Sequence, residues 1–220
     1  MFFKPLNFHS EEVTQVDLRP VAPSRNPARR FPQLLGGLAL YGASMAMLTR
    51  SGMGLDPWDV LTDGFTKITG WTFGTVTAVV SVGVLLLWVP LRQRPGIGTV
   101  LNIFTISVTV DLVRAVLPDQ HRLVWQLVLM IGGVLLNGLA TATYVGARLG
   151  PGPRDGLMTG LSARTGWSVR LVRTGIEVSV LATGWLLGGT VGIGTVVYAL
   201  SIGAITQALL PLVAWREPEL

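Results

Sequence analysis

Asp56-Pro57-Trp58-Asp59 and Gly152-Pro153-Arg154-Asp155 are the two places where charged and aromatic side chains recur at one fixed spacing. In each, a residue able to cap a helix precedes a proline, and an acid falls at the third helical position. On one reading Asp59 and Asp155 are capping groups, because such an acid can bond back to the cap N–H and complement the helix dipole. On the other, residues 57–69 and 153–165 are short helices that dip into the protein from opposite faces, and their N-termini point at a substrate or an ion. Lying flat at a membrane interface, with Trp71 and Trp167 as anchors, is a third arrangement for the same segments. Trp58 and Arg154 occupy equivalent positions, so a pocket between the motifs would offer an aromatic face on one side and a cation on the other. Trp58, Asp59, Arg154 and Asp155 are therefore the candidate substrate-binding residues. Gly64 and Gly160 follow the motifs at the same distance and would let these segments pack closely.

A second set of polar groups lies within long apolar runs, where charge is costly and usually faces a partner or a cavity. Glu177 has Arg173 four residues before it, on the same helix face. The pair reads as a local ion pair or as a site for a proton or a substrate. Asp111 has Arg114 three residues on, with the same two readings. Asn102, Asn137 and Gln207 are further polar points, and buried amides more often tie helices together than bind ligands. Asp111 and Glu177 are the candidate coupling groups. Gly-Ile-Gly-Thr at 96–99 and 192–195 reads as a helix opening, with Thr99 and Thr195 bonded to local backbone.

Other chemistries find no residues. The histidines are His9 and His121, outside the apolar runs, and there is no cysteine. A zinc site of the usual kind, a thiol nucleophile and a haem ligand pair are excluded on that count, and no nucleotide loop or H-E-x-x-H motif is present. The expectation is a protein that is not an enzyme and uses no cofactor or metal.

The elements that must carry these groups are membrane helices. Half the residues are hydrophobic, only 13% are charged, and the mean hydropathy is +0.55; a soluble domain carries roughly a quarter charged residues. A helix needs about 20 apolar residues to cross a bilayer. Six stretches qualify or nearly do: 33–50, 72–91, 97–117, 123–146, 169–188 and 193–214. A five-span chain, with one stretch merged or demoted, is the alternative. Residues 1–32 are polar, with Pro20, Pro23 and Pro27 and five basic residues, and read as a flexible basic tail. The net charge of +5 does not mark a nucleic-acid binder, because the basic residues lie between apolar runs rather than along one face. With six spans, 13 Lys and Arg fall on one side and 4 on the other, which puts both termini in the cytoplasm.

Offsetting the sequence by 96 residues aligns 34–117 with 130–213 and gives 24 identities in 84 positions. GGLALYG (36–42) meets GGVLLNG (132–138), GLDPWDVLTDG (54–64) meets GPGPRDGLMTG (150–160), TGWT (69–72) meets TGWS (165–168), and GIGTV recurs. Repeat 1 spans 33–118 and repeat 2 spans 123–214. Each holds three spans, so the second would enter the membrane upside down, as in many secondary transporters with a site between the halves. The loop 50–70 has a net charge of −1 and its counterpart 146–173 one of +4, as expected if the two face opposite compartments. The expected fold is all-α, with six transmembrane helices in two inverted three-helix repeats, each with a short amphipathic or re-entrant helix.

GLDPWDVL, RPGIGT, GPRDGLM and the later Gly-Ile-Gly-Thr resemble the YczE-like membrane proteins, relatives of the YitT group of bacterial integral membrane proteins. The resemblance covers about residues 32–213, although Asp56 stands where the family's GPWD pattern would have glycine. It implies a polytopic protein of the bacterial plasma membrane and leaves substrate and mechanism open. The expected function is a small-solute secondary transporter or exporter working by alternating access, partnered by the lipid bilayer and one small solute, with homo-oligomerisation open. A non-transporting scaffold or accessory subunit is the alternative; the basic tail would then recruit anionic lipid or a protein. The lack of a ring of like charges within the spans argues against a selective ion pore.

Overall fold

A computed structural model describes residues 20–215, all of whose regular elements are helices. They are α1 (Pro27–Ser51), α2 (Pro57–Thr69), α3 (Phe73–Leu91), α4 (Ile97–Val116), α5 (Leu123–Gly146), α6 (Pro153–Thr165), α7 (Val169–Leu186) and α8 (Ile193–Val213). Five of them, α1, α3, α4, α5 and α8, are long and apolar enough to cross a membrane. The fifth expected span, α7, is 18 residues long and carries Arg170, Arg173 and Glu177. Large apolar side chains such as Leu86, Val116, Leu200 and Leu212 cover the outside. That is the reverse of a water-soluble surface, where apolar patches of this extent are rare.

The repeated sequence motifs act as punctuation. Gly70 and Gly166 stop α2 and α6 with φ of 71° and 73°, a left-handed turn that costs glycine nothing. Two residues later Thr72 and Ser168 cap α3 and α7 by accepting the N–H of Thr75 and Leu171. Thr99 and Thr195 accept the N–H of Gly96 and Gly192, so both GIGT segments close on their own backbone as expected.

Packing repeats at the same offset. α1 crosses α5, where a Cβ on Gly37 would fall 2.7 Å from the Tyr144 backbone N and one on Gly133 would fall 2.9 Å from Leu48 Cγ. α1 meets α4 at Gly42 against Thr109, and α5 meets α8 at Gly138 against Ile205. The Gly98 N–H donates to Leu149 O at 3.0 Å, and the Gly194 N–H donates to Met53 O at 2.8 Å. Each loop thus anchors the helix start of the other half. α3 packs on α6 with Trp88 over Gly156, and α7 packs on α2 with Gly184 against Val60 and Leu61, so the bulky partner has changed sides. Gly138 packs closely on α8 at Ile205, and Gly146 on Ala214 just past the end of α8. Gly184, Gly188 and Gly192 recur at four-residue spacing, but Gly188 lies beyond the end of α7 and meets nothing, so the three do not form a helix stripe.

One pair breaks the pattern. α3 and α4 touch so closely that a Cβ on Gly74 would sit 2.0 Å from Ser107 O. Their counterparts α7 and α8 hardly meet: Arg170 stands in place of Gly74, and Gly203, in place of Ser107, has open space around it.

The polar segment at the chain start departs from expectation. Residues 1–19 lie outside the described residues, but α1 begins at Pro27, six residues ahead of the expected span, so 27–32 are helix and not tail. Arg30 is 0% exposed. Its guanidinium donates to the carbonyls of Val21, Ala22, Arg25, Ala147 and Arg148 at 2.7–3.0 Å and lies 4.9 Å from the Trp215 ring centre. Five carbonyl dipoles and an aromatic face make burial of this cation tolerable.

The added methyl of Gly156→Ala would fall 2.0 Å from the Trp88 ring. Loss of about 1–3 kcal/mol is expected from such overpacking. Thermal unfolding in detergent should report it, with part of the loss recovered when Trp88→Leu is added. Unchanged melting of Gly156→Ala would contradict the packing described.

Candidate binding site

The N-terminal turns of α2 and α6 face each other across a gap that Arg154 spans. Asp56 caps α2 as its sequence position suggests, its Oδ1 accepting the N–H of Trp58 at 2.8 Å and of Asp59 at 2.9 Å. Arg154, from α6, brings Nη2 to 3.4 Å from Asp59 Oδ1 and Nη1 to 3.7 Å from Asp56 Oδ1. Its guanidinium carbon lies 5.2 Å from the Trp58 ring centre. Trp58 and Arg154, equivalent in sequence, are therefore stacked on each other rather than set on opposite walls. Asp59 is 0% exposed and turns to Arg154, where the capping reading would have turned it back to its own helix start. Asp155 keeps its carboxylate exposed beside Gly152, and the Tyr144 hydroxyl donates to its Oδ2 at 3.3 Å.

These groups border a cavity of about 240 Å³. Trp58, Arg154, Asp155, Asn102, Arg173, Glu177 and Gln207 all line it, and Asp59 sits directly behind Arg154. Arg173 Nε and Glu177 Oε1 are 2.8 Å apart, a local ion pair that is also part of the wall. Asp111 is not part of it. The Thr72 hydroxyl and the Gly74 N–H, at 2.8 Å, donate to its two carboxylate oxygens, so it fastens α4 to the start of α3. Its expected partner Arg114 lies over the Phe73 ring instead. Gln207, 96 residues after Asp111 and so its repeat equivalent, lines the cavity while Asp111 does not; α4 is pressed on α3 where α8 stands away from α7. Asn137 ties helices, as buried amides do: it donates to Ser44 Oγ at 2.8 Å and accepts from the Tyr198 hydroxyl at 2.9 Å.

Sequence reasoning missed Tyr41, Tyr144, Tyr198 and Asp56 as wall residues. The chain has three tyrosines and all three line the cavity. A phenol inside an apolar run was the available signal, since its hydroxyl must find a partner when buried. Asp56 was legible as a cap but not as a wall.

Three buried polar atoms of the DPWD segment, Asp56 Oδ2, Trp58 Nε1 and Asp59 Oδ2, make no hydrogen bond. Buried polar atoms are nearly always paired, so such a concentration marks a place where something other than fold stability decides the residues.

Arg154→Met would strip the charge that Asp56 and Asp59 share. A loss of about 3 kcal/mol is expected, the cost of leaving buried carboxylates unpaired. Adding Asp59→Asn should restore part of it, read as unfolding temperature in detergent. A single variant as stable as the parent would mean the three groups are not coupled.

The family of unknown function DUF6198 matches residues 28–211. An uncharacterized Haemophilus influenzae protein is 39% identical over 181 residues, 82% of this chain and 83% of its own length. The Bacillus subtilis membrane protein YczE is 33% identical over 174 residues, 78% and 80% of the two chains. Bacillus subtilis YyaS is 27% identical over 184 residues, 80% of this chain and 90% of its own. No solved structure matches. The family match spans nearly the whole helical region, cavity included, and the chain is accordingly a YczE-like membrane protein of the DUF6198 family.

Proposed function

We propose that this protein is a small-solute carrier of the bacterial plasma membrane, built from two inverted three-helix repeats and working by alternating access. The observation that carries the reading is the single broken pair in an otherwise duplicated set of contacts. Around one cavity, α3 is sealed on α4 while α7 is parted from α8. Exchanging those two arrangements, with the α1–α5 crossing held fixed, would open the cavity on the other side. A carrier needs two such states of nearly equal energy, and a repeat supplies them from one packing scheme.

The long-range contacts among loops and helix ends support six crossings. They sort into two groups: 21–30, 90–98, 146–153, 164 and 215 meet one another, and so do 50–54, 67, 114–126 and 187–195. Val21 and Trp215 both bond to the 146–148 segment, so the described residues start and finish at one face, which favours an even number of crossings between them. That face also carries most of the basic residues, which favours the cytoplasm for both termini. α2 and α6 favour re-entrance over lying flat, since residues 57–60 are buried and 67–69 exposed, with 156–158 and 163–165 following suit.

Two measurements test this. The chain has no cysteine, so Lys67→Cys and Arg164→Cys report cleanly on sidedness. A membrane-impermeant maleimide should label the first from outside cells and the second only after the membrane is opened. Labelling of both from one side would end the inverted arrangement. In proteoliposomes, Gly203→Leu should leave the unfolding temperature unchanged, since nothing lies within 4 Å, and should arrest flux of a transported solute by keeping α7 off α8 and filling the cavity wall there. Flux at the parent rate, or no flux of any solute by the parent under ion gradients, would overturn alternating access.

A further inference from the structure

We propose that the cavity takes a small organic cation bearing N–H donors, an amine or guanidinium compound. This rests on the reading of the cavity as a binding site and names its ligand class.

Charge points there first. Asp56, Asp155 and Glu177 line the cavity and Asp59 lies against it, facing two cations, Arg154 and Arg173. Both cations are engaged: Arg173 with Glu177 at 2.8 Å, and Arg154 with Asp59 at 3.4 Å and Asp56 at 3.7 Å. An anionic solute would meet cations whose charge is already paired. Carboxyl groups thus outnumber the cations four to two. Asp155 has a neutral tyrosine hydroxyl as its side-chain partner, with no cation in ion-pair distance among the described residues. Excess negative charge at membrane depth is costly, and a bound cation relieves it.

Hydrogen bonding gives the independent observation. Asp56 is 2% exposed and lines the cavity, and its Oδ2 accepts no hydrogen bond while Oδ1 is occupied at the start of α2. A buried carboxylate oxygen with no donor calls for one from the ligand, and a charged N–H donor is the strongest match. The walls fit the same class. Tyr41, Tyr144 and Tyr198 all line the cavity, and aromatic rings are favourable neighbours for a cation. The volume, about 240 Å³, suits a compact solute rather than a drug-sized one.

The full-length protein in nanodiscs at neutral pH is titrated with n-butylammonium, butylguanidinium and putrescine, against size-matched butanol, butyrate and tetramethylammonium, and against sodium and potassium chloride. Saturable heat and a raised unfolding temperature are expected for the N–H cations. Tetramethylammonium should be weaker, and butanol, butyrate and the salts without effect. Asp56→Asn, which keeps a competent helix cap, should weaken amine binding roughly tenfold or more, the scale of one charged hydrogen bond. Asp155→Asn serves as the second variant should the first fail to fold. Binding of butyrate, a response to alkali cations alone, no response to any amine, or amine binding untouched in both variants would overturn the proposal. The assay is at equilibrium, so it separates from the carrier reading. Amines that bind without flux leave this inference standing and sink the carrier, whereas flux of an anion does the reverse.

Discussion

Arg154 carries its charge out of one half of the molecule and lodges it between Asp56 and Asp59 of the other. Removing three ions from water is expensive, and their attraction repays the cost only when the geometry is held fast. The surrounding structure can be read as the means of holding it. The starts of α2 and α6 must face each other; that requires α7 on α2 and α3 on α6, which glycines 184 and 156 permit. Those pairs in turn hang on the α1–α5 crossing, where Gly37 and Gly133 bring two backbones together. An ionic bridge of this kind contributes little net stability. It selects one register of the two halves and penalises others, because any slip strands a buried charge.

Duplication alone would give a symmetric object, and the departures from symmetry are where the cavity acquires its character. Trp58 and Arg154 hold equivalent positions but stack as cation on ring. Thr77 and Ser81 on α3 correspond to Arg173 and Glu177 on α7, so one wall is hydroxyl-lined and the other ionic. Gly74 admits Ser107, while Arg170 admits nothing at Gly203. The backbone scheme is common to both halves, and the side chains have been differentiated around the shared space.

Much of this was legible beforehand, and what escaped has a common cause. α2, α5 and α6 have the bounds that the proline, glycine and apolar patterns indicate, because capping and termination are local events. The quartet Trp58, Asp59, Arg154 and Asp155 converges as its repeat positions suggested. Asp111 escaped because its partners, Thr72 and Gly74, are close in space and 37 to 39 residues away in sequence. The extension of α1 back to Pro27 escaped because Arg25, Arg29 and Arg30 resemble a solvated tail. The burial of Arg30 depends on carbonyls 117 and 118 residues further on. The parting of α7 from α8 has no local signature at all, since periodicity reports which face is apolar and not how near the next helix stands.

That same Arg30 sets an order on how the molecule can be made. Its pocket is finished by Trp215, whose N–H donates to Gly146 O at 2.9 Å and whose ring lies beneath both Arg30 and Arg148. A chain still emerging from the ribosome has no Trp215 to offer. The helix that carries Arg30 is therefore latched late, and the corner that joins α1 to Trp215 can close only after α8 has been delivered.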